Sequence, residues 1–368
     1  MHRYGAGLAT DPDIERAVAD AVADALEPLA GARPDMLFVF VSGAYGNDAA
    51  RAGPLAFDEA APRTLAGAVA ANGVIGAGRE VERGHAVSVL AASVPEARVE
   101  VFHSLADLGG VPEIAPGALT VLIADPYTFR TEALIDHLAP GQALVGGLAG
   151  GGGAGQARLF RDGGVLRAGA VGVVLPMSLC APLVSQGCRP IGPELVVTAA
   201  AGNALLELAG TPALEKVEEV FGTLSAHDQA LARNGLLSGL VINENRPQYG
   251  VGDYLVRVLL GPDRERGAIL IGDLPRVGQT FRLHVRDEAS ATAELEHVLH
   301  GAPAGAGALL FSCNGRGRNL FSTDDHDAGL VDQLLGVPAA GLFCQGEIGP
   351  VGGRNHLHGF TATIALLS

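Results

Sequence analysis

Apolar residues recur along this chain in short unbroken runs, and each run stops abruptly at glycine or at a small polar cluster. Met36–Val41 ends at Ser42-Gly43-Ala44-Tyr45-Gly46, Leu119–Ala124 at Asp125-Pro126, and Ala308–Ser312 at Cys313-Asn314-Gly315-Arg316-Gly317. Short apolar runs bounded by turn signals read as buried strands. Each is followed by a helix, a second short strand entering a glycine turn, and a last strand. In the first copy these are a helix-like segment at Arg63–Ala71, Val74-Ile75 entering Gly76-Ala77-Gly78, and Ala86–Ala92. In the second they are Thr131–Leu138, Ala143–Val145 entering the tract Gly146–Gly153, and Ala168–Leu175. In the third they are Asp327–Leu335, Gly341–Cys344 entering Gly346–Gly349, and Gly359–Leu367. Strands joined through a helix should be parallel with a right-handed crossover, whereas a strand after a glycine turn should run antiparallel. The pattern therefore predicts an α/β fold of mixed β-sheets covered by helices, built from internally repeated strand-helix-strand-turn-strand units.

Pro193–Val298 has a different texture. A hairpin over Leu195–Leu208 (Leu205, Leu206 and Leu208 being also compatible with a helix), a short helix from Thr211-Pro212 to Phe221, strands at Gly239–Ile242, Tyr254–Leu260, Ala268–Ile271 and Thr280–Val285, and a helix near Ser290–Leu299 predict an α+β insert. Two modules follow, residues 1–190 with two repeated units and residues 191–368 with the third unit and the insert. At the N-terminus, Asp11-Pro12 before Ile14, Ala17, Val18, Ala21, Val22, Ala25 and Leu26 predicts a capped amphipathic helix. The acidic residues there leave no apolar core for a signal peptide. Ala168–Cys188 carries no charge, yet Pro176, Pro182 and its three glycines break it as a membrane span. A chain of 368 residues with 48% hydrophobic residues can bury large sheets. Its net charge of −15 argues against non-specific nucleic-acid binding, which needs clustered Lys and Arg. Four cysteines without CxxC pairs suit a reducing, cytoplasmic location and no metal motif.

Chemistry concentrates in the last sixty or so residues, where Cys313, Asn314, Gly315, Arg316, Gly346, Glu347, Ile348, Gly349, Asn355 and His358 gather beyond strand ends. Gly346-Glu347-Ile348-Gly349 sets a carboxylate between glycines that let backbone approach a ligand closely; a turn with Glu347 as a cap or paired to Arg316 is the plainer reading. Asn314-Gly315-Arg316 offers backbone donors and a guanidinium suited to a carboxylate or phosphate, or Arg316 serves a structural ion pair. Cys313 would be a nucleophile if a base such as His358 or His326 lowered its pKa, and a small apolar filler otherwise. His356 and His358 share a strand face near Asp324, Asp325 and His326, without the spacing of a metal site. No Gly-Lys-Ser/Thr loop exists, and the Gly146–Gly155 tract leads into a hairpin at Leu159–Gly164, not the helix that a dinucleotide fold requires. No cofactor is expected.

The segments LLFSCNGRGRNLF, GLFCQGEIGPVGGRNHLHGFTATI and LELAGTPALEKV resemble the C-terminal half of the FIST family (F-box and intracellular signal transduction). Asp35–Leu183 resembles the matching N-terminal module. Where the family has a Gly-Cys-Ser/Thr-x-Gly-Glu-like segment, this chain has Gly76-Ala77-Gly78-Arg79-Glu80, without the thiol and hydroxyl. The resemblance implies a sensory module that binds a small molecule, such as an amino acid or related metabolite, and signals through a protein partner. A thiol-dependent hydrolase or transferase using Cys313, and an interaction scaffold without ligand, are the alternatives.

Overall fold

The computed structural model describes residues 2–95, 97–150, 153 and 155–368. Two compact units form. One comprises Met1–Val184, Leu295–Leu357 and Thr361–Ser368; the other comprises Ser185–Glu294 with His358–Phe360. The third repeat therefore lies in the same compact unit as the first two.

Strand β1 (Arg3–Ala9) and helix α1 (Ile14–Leu26) precede the first repeat, whose strands are β2 (Met36–Ser42), β3 (Thr64–Ala70), β4 (Val74–Gly76), β5 (Arg79–Val81) and β6 (Val87–Ser93). Helix α2 (Ala52–Ala60) links β2 to β3. The second repeat contains β7 (Glu100–Ser104), β8 (Ala118–Ala124), α3 (Thr131–His137), β9 (Ala143–Leu148), β10 (Leu159–Arg161), β11 (Gly164–Leu166) and β12 (Ala170–Pro176). Strand β13 (Cys180–Ser185) leads out of it. The other compact unit has β14 (Cys188–Ala201), β15 (Ala204–Leu208), β16 (Thr211–Pro212), α4 (Ala213–Thr223), α5 (Ala226–Asn234), β17 (Leu236–Val241), β18 (Tyr254–Asp263), β19 (Ala268–Ile271) and β20 (Thr280–Arg286). These strands make one sheet ordered β14-β20-β17-β18-β19-β15-β16, with Leu195, Val197, Phe281, Leu283 and Val285 packed against Val217 and Val220 of α4. After α6 (Glu288–His300), the third repeat has β21 (Gly307–Cys313), α7 (His326–Leu335), β22 (Ala339–Cys344), β23 (Glu347–Val351), β24 (Arg354–His358) and β25 (Ala362–Leu367).

The three repeats are built alike. In each, the first two strands pair in parallel: β2 with β3, β8 with β9, β21 with β22. The last strand returns antiparallel to the first. The hairpin between them leaves its own sheet. Strand β4 pairs with β22 of the third repeat, β10 with β3 of the first, and β23 with β9 of the second. The exchange is cyclic, so each six-stranded sheet borrows an edge and covers a row of backbone groups that would otherwise be unpaired. The inner faces of all three sheets share one apolar core that includes Phe38, Phe40, Val121, Ile123, Leu309 and Phe311. Phe40 and Phe311 meet edge to face, 6.1 Å between centroids.

One glycine recurs at the same place in every second strand. Gly67, Gly146 and Gly341 each lie beside a first-strand residue, Val39, Leu122 and Leu310. A Cβ there would stand 1.8–2.0 Å from that residue's carbonyl oxygen. Gly341→Ala should therefore cost about 1–3 kcal/mol by forcing backbone apart, whereas Gly359→Ala, with open space around it, should stay within about 0.5 kcal/mol. Urea melts of the two variants check this; equal losses would mean that the close approach carries no energy.

Several expectations need correction. Thr64–Ala70, expected to be helical, is strand β3, because its alanines and Gly67 fit a tight parallel ladder while the helix forms earlier at Ala52–Ala60. Asp13, not Asp11, caps α1, its carboxylate accepting from the Glu15 and Arg16 amides. The last strand starts at Ala362 and not at Gly359, since residues 347–358 are used in the exchanged hairpin. Strand β1 and helix α5 carry no strong pattern and were not anticipated. No helix among the described residues is long and apolar enough to cross a membrane.

Candidate functional site

The ends of β21 and β22 lie side by side, with Cys313 opposite Cys344 in the parallel register. The chain then turns: the Asn314 amide donates to the Cys344 carbonyl (2.8 Å) and the Arg316 amide to the Cys313 carbonyl (2.8 Å). The turn drives Arg316 inward until it is wholly buried. There its Nε and Nη2 donate to the two oxygens of Asp327, at 2.7 and 2.8 Å, a two-pronged charge-assisted pair. The Ser312 hydroxyl donates to the same carboxylate (2.7 Å), and His326 Nδ1 lies 2.9 Å from it. Phe321 stacks on His326 and lies 5.1 Å under the guanidinium. Burial alone would raise the Asp327 pKa; the guanidinium overrides it and holds the carboxyl well below its usual range.

A residue of the first repeat completes this arrangement. Glu80, on the exchanged β4–β5 hairpin, accepts the Asp327 and Ala328 amides (2.8 and 3.0 Å) at the start of α7, whose own N-cap, Asp325, is left-handed and makes no side-chain cap. The Glu80 amide in turn donates to Asp325 (2.6 Å). Burial, then the charge of Asp327, raises the Glu80 pKa to about 8 against those amide bonds.

Glu347 opens β23 and is completely buried. Its Oε2 accepts the Thr361 amide at 3.1 Å, and its Oε1 has no hydrogen-bond partner among the described residues. Burial raises its pKa to about 8, although the Thr361 amide, the Cys313 thiol and the Arg316 guanidinium all favour the charged form. The exchange of hairpins permits a direct comparison. Glu347 pairs with Gly147, one residue past Gly146; at the same step Val74 pairs with Leu342 and Leu159 with Ala68. Val74 and Leu159 are both fully buried apolar core residues. Where two repeats place a valine and a leucine, the third places a carboxylic acid. The same register sets Cys313 against Ser42 and Asp125. Both of those cap their turns: Ser42 accepts the Ala44 amide (3.2 Å) and Asp125 the Tyr127 amide (3.4 Å).

Of the residues singled out in the sequence, Cys313, Asn314, Gly315, Arg316 and Glu347 belong to this one place. Gly346, Ile348 and Gly349 build the strand that carries Glu347: the Gly346 carbonyl accepts from Leu148 (2.8 Å), Ile348 is core, and a Cβ on Gly349 would sit 2.7 Å from Val184. Asn355 is committed to backbone, accepting from Leu144 and donating to the Gln142 carbonyl, both at 2.8 Å. His358 belongs to the second compact unit. Part of the Gly146–Gly155 tract lies outside the described residues. No group of three or more His, Cys, Asp or Glu among the described residues is arranged to hold a metal ion. Sequence reading missed Glu80, Asp327 and Thr361 as members of the site. The match of Glu347 to Val74 and Leu159 emerges only from the strand register, and Glu80 stood out in the sequence only as the end of the Gly76-Ala77-Gly78-Arg79-Glu80 segment.

Family models match along nearly this whole chain, a FIST N domain over residues 35–211 and a FIST C domain over 213–350. The chain belongs to the FIST family. The boundary between the two FIST domains falls at β16, inside the second compact unit. An uncharacterized protein of Mycobacterium tuberculosis strain H37Rv is 42% identical over 382 residues, covering 99% of each chain. One of Mycobacterium bovis is 41% identical, covering 99% of this chain and 98% of its own. FIST domains are sensory domains of signal transduction.

The two raised carboxyls have a consequence for the pH dependence of this FIST protein. Between pH 4.5 and about 8, Glu347 and Glu80 keep protons in the folded chain that the unfolded chain has lost. Folding then takes up protons, so stability is complete below pH 4.5 and falls towards pH 8. Asp327 acts oppositely, its contribution present above pH 3.8 and lost in acid. Urea melts at intervals from pH 5 to 8 should show the decline, and Glu347→Gln should remove one proton's worth of slope. An unchanged slope in that variant would show that Glu347 is ionised in the fold.

Proposed function

We propose that this FIST protein is a cytoplasmic small-molecule sensor that signals through a protein partner, and that its ligand is read at Glu347 and Cys313. One observation carries the reading: a buried carboxylic acid with an unpartnered oxygen stands where both sister repeats have core hydrocarbon. Burying such a group without full compensation costs about 1–3 kcal/mol, and a fold with two working apolar precedents has no structural need of it. A ligand that supplies the missing hydrogen bond would remove that deficit. Arg316 serves the site differently from a ligand clamp, since Nε and Nη2 are taken by Asp327. It fixes the Cys313–Arg316 turn and tempers the charge beside Glu347. An amino acid or related small metabolite fits a site offering one carboxyl, one thiol and backbone amides.

The test is a thermal-shift screen of the full chain against amino acids, small carboxylates, carbonyl compounds and nucleotides. A ligand at a hundred times its dissociation constant should add about 2.7 kcal/mol. The shift should vanish in Glu347→Leu. A hit that survives this substitution would place the ligand elsewhere, and silence across the library with a cooperative melt would favour a protein-interaction role.

A further inference from the structure

The four cysteines are all buried, yet their surroundings differ. Cys180 and Cys344 sit in the shared apolar core, and burial pushes the first up to about 12 and the second well above its usual value. Cys313 lies at a strand end, 4% exposed, beside a turn whose Asn314 and Gly315 are half-buried. Its sulfur accepts the Gly315 amide at 3.4 Å, and its thiol donates to Asn314 Oδ1 at 3.7 Å. Beside it stands Glu347, fully buried, with Oε1 unpartnered. In the two sister repeats the equivalents of Cys313, Ser42 and Asp125, accept the same amide of the turn through oxygen, and Val74 and Leu159 stand where Glu347 does.

From this juxtaposition we infer that Cys313 is a nucleophile that captures small aldehydes reversibly, with Glu347 handling the proton. A thiol and a carboxylic acid acting on one small molecule call for an electrophilic carbon and an acceptor oxygen one bond apart, which is a carbonyl. Burial restricts it to a small one. The Cys313 sulfur forms a bond to the carbonyl carbon while the C=O π bond opens onto oxygen. That oxygen takes the Glu347 carboxyl proton, and the thiol proton passes to the carboxylate left behind. The product is a thiohemiacetal, and Glu347 ends in the state in which it began. Nothing leaves and no oxidant is consumed, so the adduct reverses when the aldehyde is removed, as sensing requires. The carboxyl pKa near neutrality suits it to both donate and accept. The inference presupposes the ligand site proposed above and names its chemistry.

The experiment is limited alkylation of the native full chain with iodoacetamide, read by peptide mass spectrometry, with and without propionaldehyde. Cys313 should alkylate about tenfold faster than Cys180 and Cys344, which serve as internal controls. Propionaldehyde should slow alkylation at Cys313 alone, and dialysis should restore it. It should also raise the melting temperature of the wild type but not of Cys313→Ser. Glu347→Gln, shown folded by its melt, should weaken protection about tenfold. Alkylation of Cys313 no faster than of Cys344, or propionaldehyde giving neither protection nor a melting shift, overturns the covalent chemistry. A different ligand whose thermal shift is lost in Glu347→Leu would, in that event, leave the sensor reading standing.

Discussion

Asp327→Ala is expected to destabilise the fold by about 3–5 kcal/mol, because it strands a buried guanidinium. Arg316 has no exposed surface, and two of its nitrogens are held by this one carboxylate. The Ser312 hydroxyl would lose its acceptor as well. The cost comes from breaking the pair, not from the pair's net worth. The double variant Arg316→Met/Asp327→Leu should therefore recover most of the loss, since two apolar side chains of similar size leave no uncompensated charge. Urea unfolding of wild type, single and double variants measures this directly. A double variant as unstable as the single would mean that the network stabilises by something other than charge compensation. Helix α7 gives a further reason for the sensitivity: Asp327 is at its first turn, where the amides that Glu80 accepts would be repositioned.

Glu347→Leu should do the opposite, raising stability by about 1–3 kcal/mol at neutral pH while abolishing ligand response. Leucine already fills the equivalent place at Leu159, and valine at Val74. The substitution removes one satisfied bond, from the Thr361 amide, and one unsatisfied oxygen. It also removes the proton uptake that weakens the fold between pH 4.5 and 8, so the gain should be larger at pH 8 than at pH 5. Opposite signs for stability and function at one residue are what a site maintained for binding would show. A loss of stability on Glu347→Leu would instead make the carboxyl a structural member of the core and count against the sensor proposal.

The order of elements was legible in the sequence because it is written in local patterns. Met36–Val41, Leu119–Ala124 and Ala308–Ser312 announced themselves as buried strands by runs ending at turns, and the order of helix, strand, glycine turn and strand was legible in the second and third copies; in the first, the expected helix is β3 and the expected second strand, Val74-Ile75, is the exchanged β4. The gathering of Cys313, Arg316 and Glu347 near strand ends was legible for the same reason. Where alternation and helical period were both weak, as in the alanine-rich Thr64–Ala70, the local signal failed and pairing with β2 decided the structure. The exchange of hairpins among the three sheets had no local signature at all, since β4, β10 and β23 are each only three to five residues long and choose partners across sequence separations of ninety or more. That exchange brings Glu80 to α7 and sets Glu347 over Gly147. By itself the sequence marked the central buried strands, most of the turns, and a set of residues that could do chemistry. The tertiary structure decided which of them meet and which lose water, and burial, not residue type, raises the Glu347 pKa and makes Arg316 the partner of Asp327.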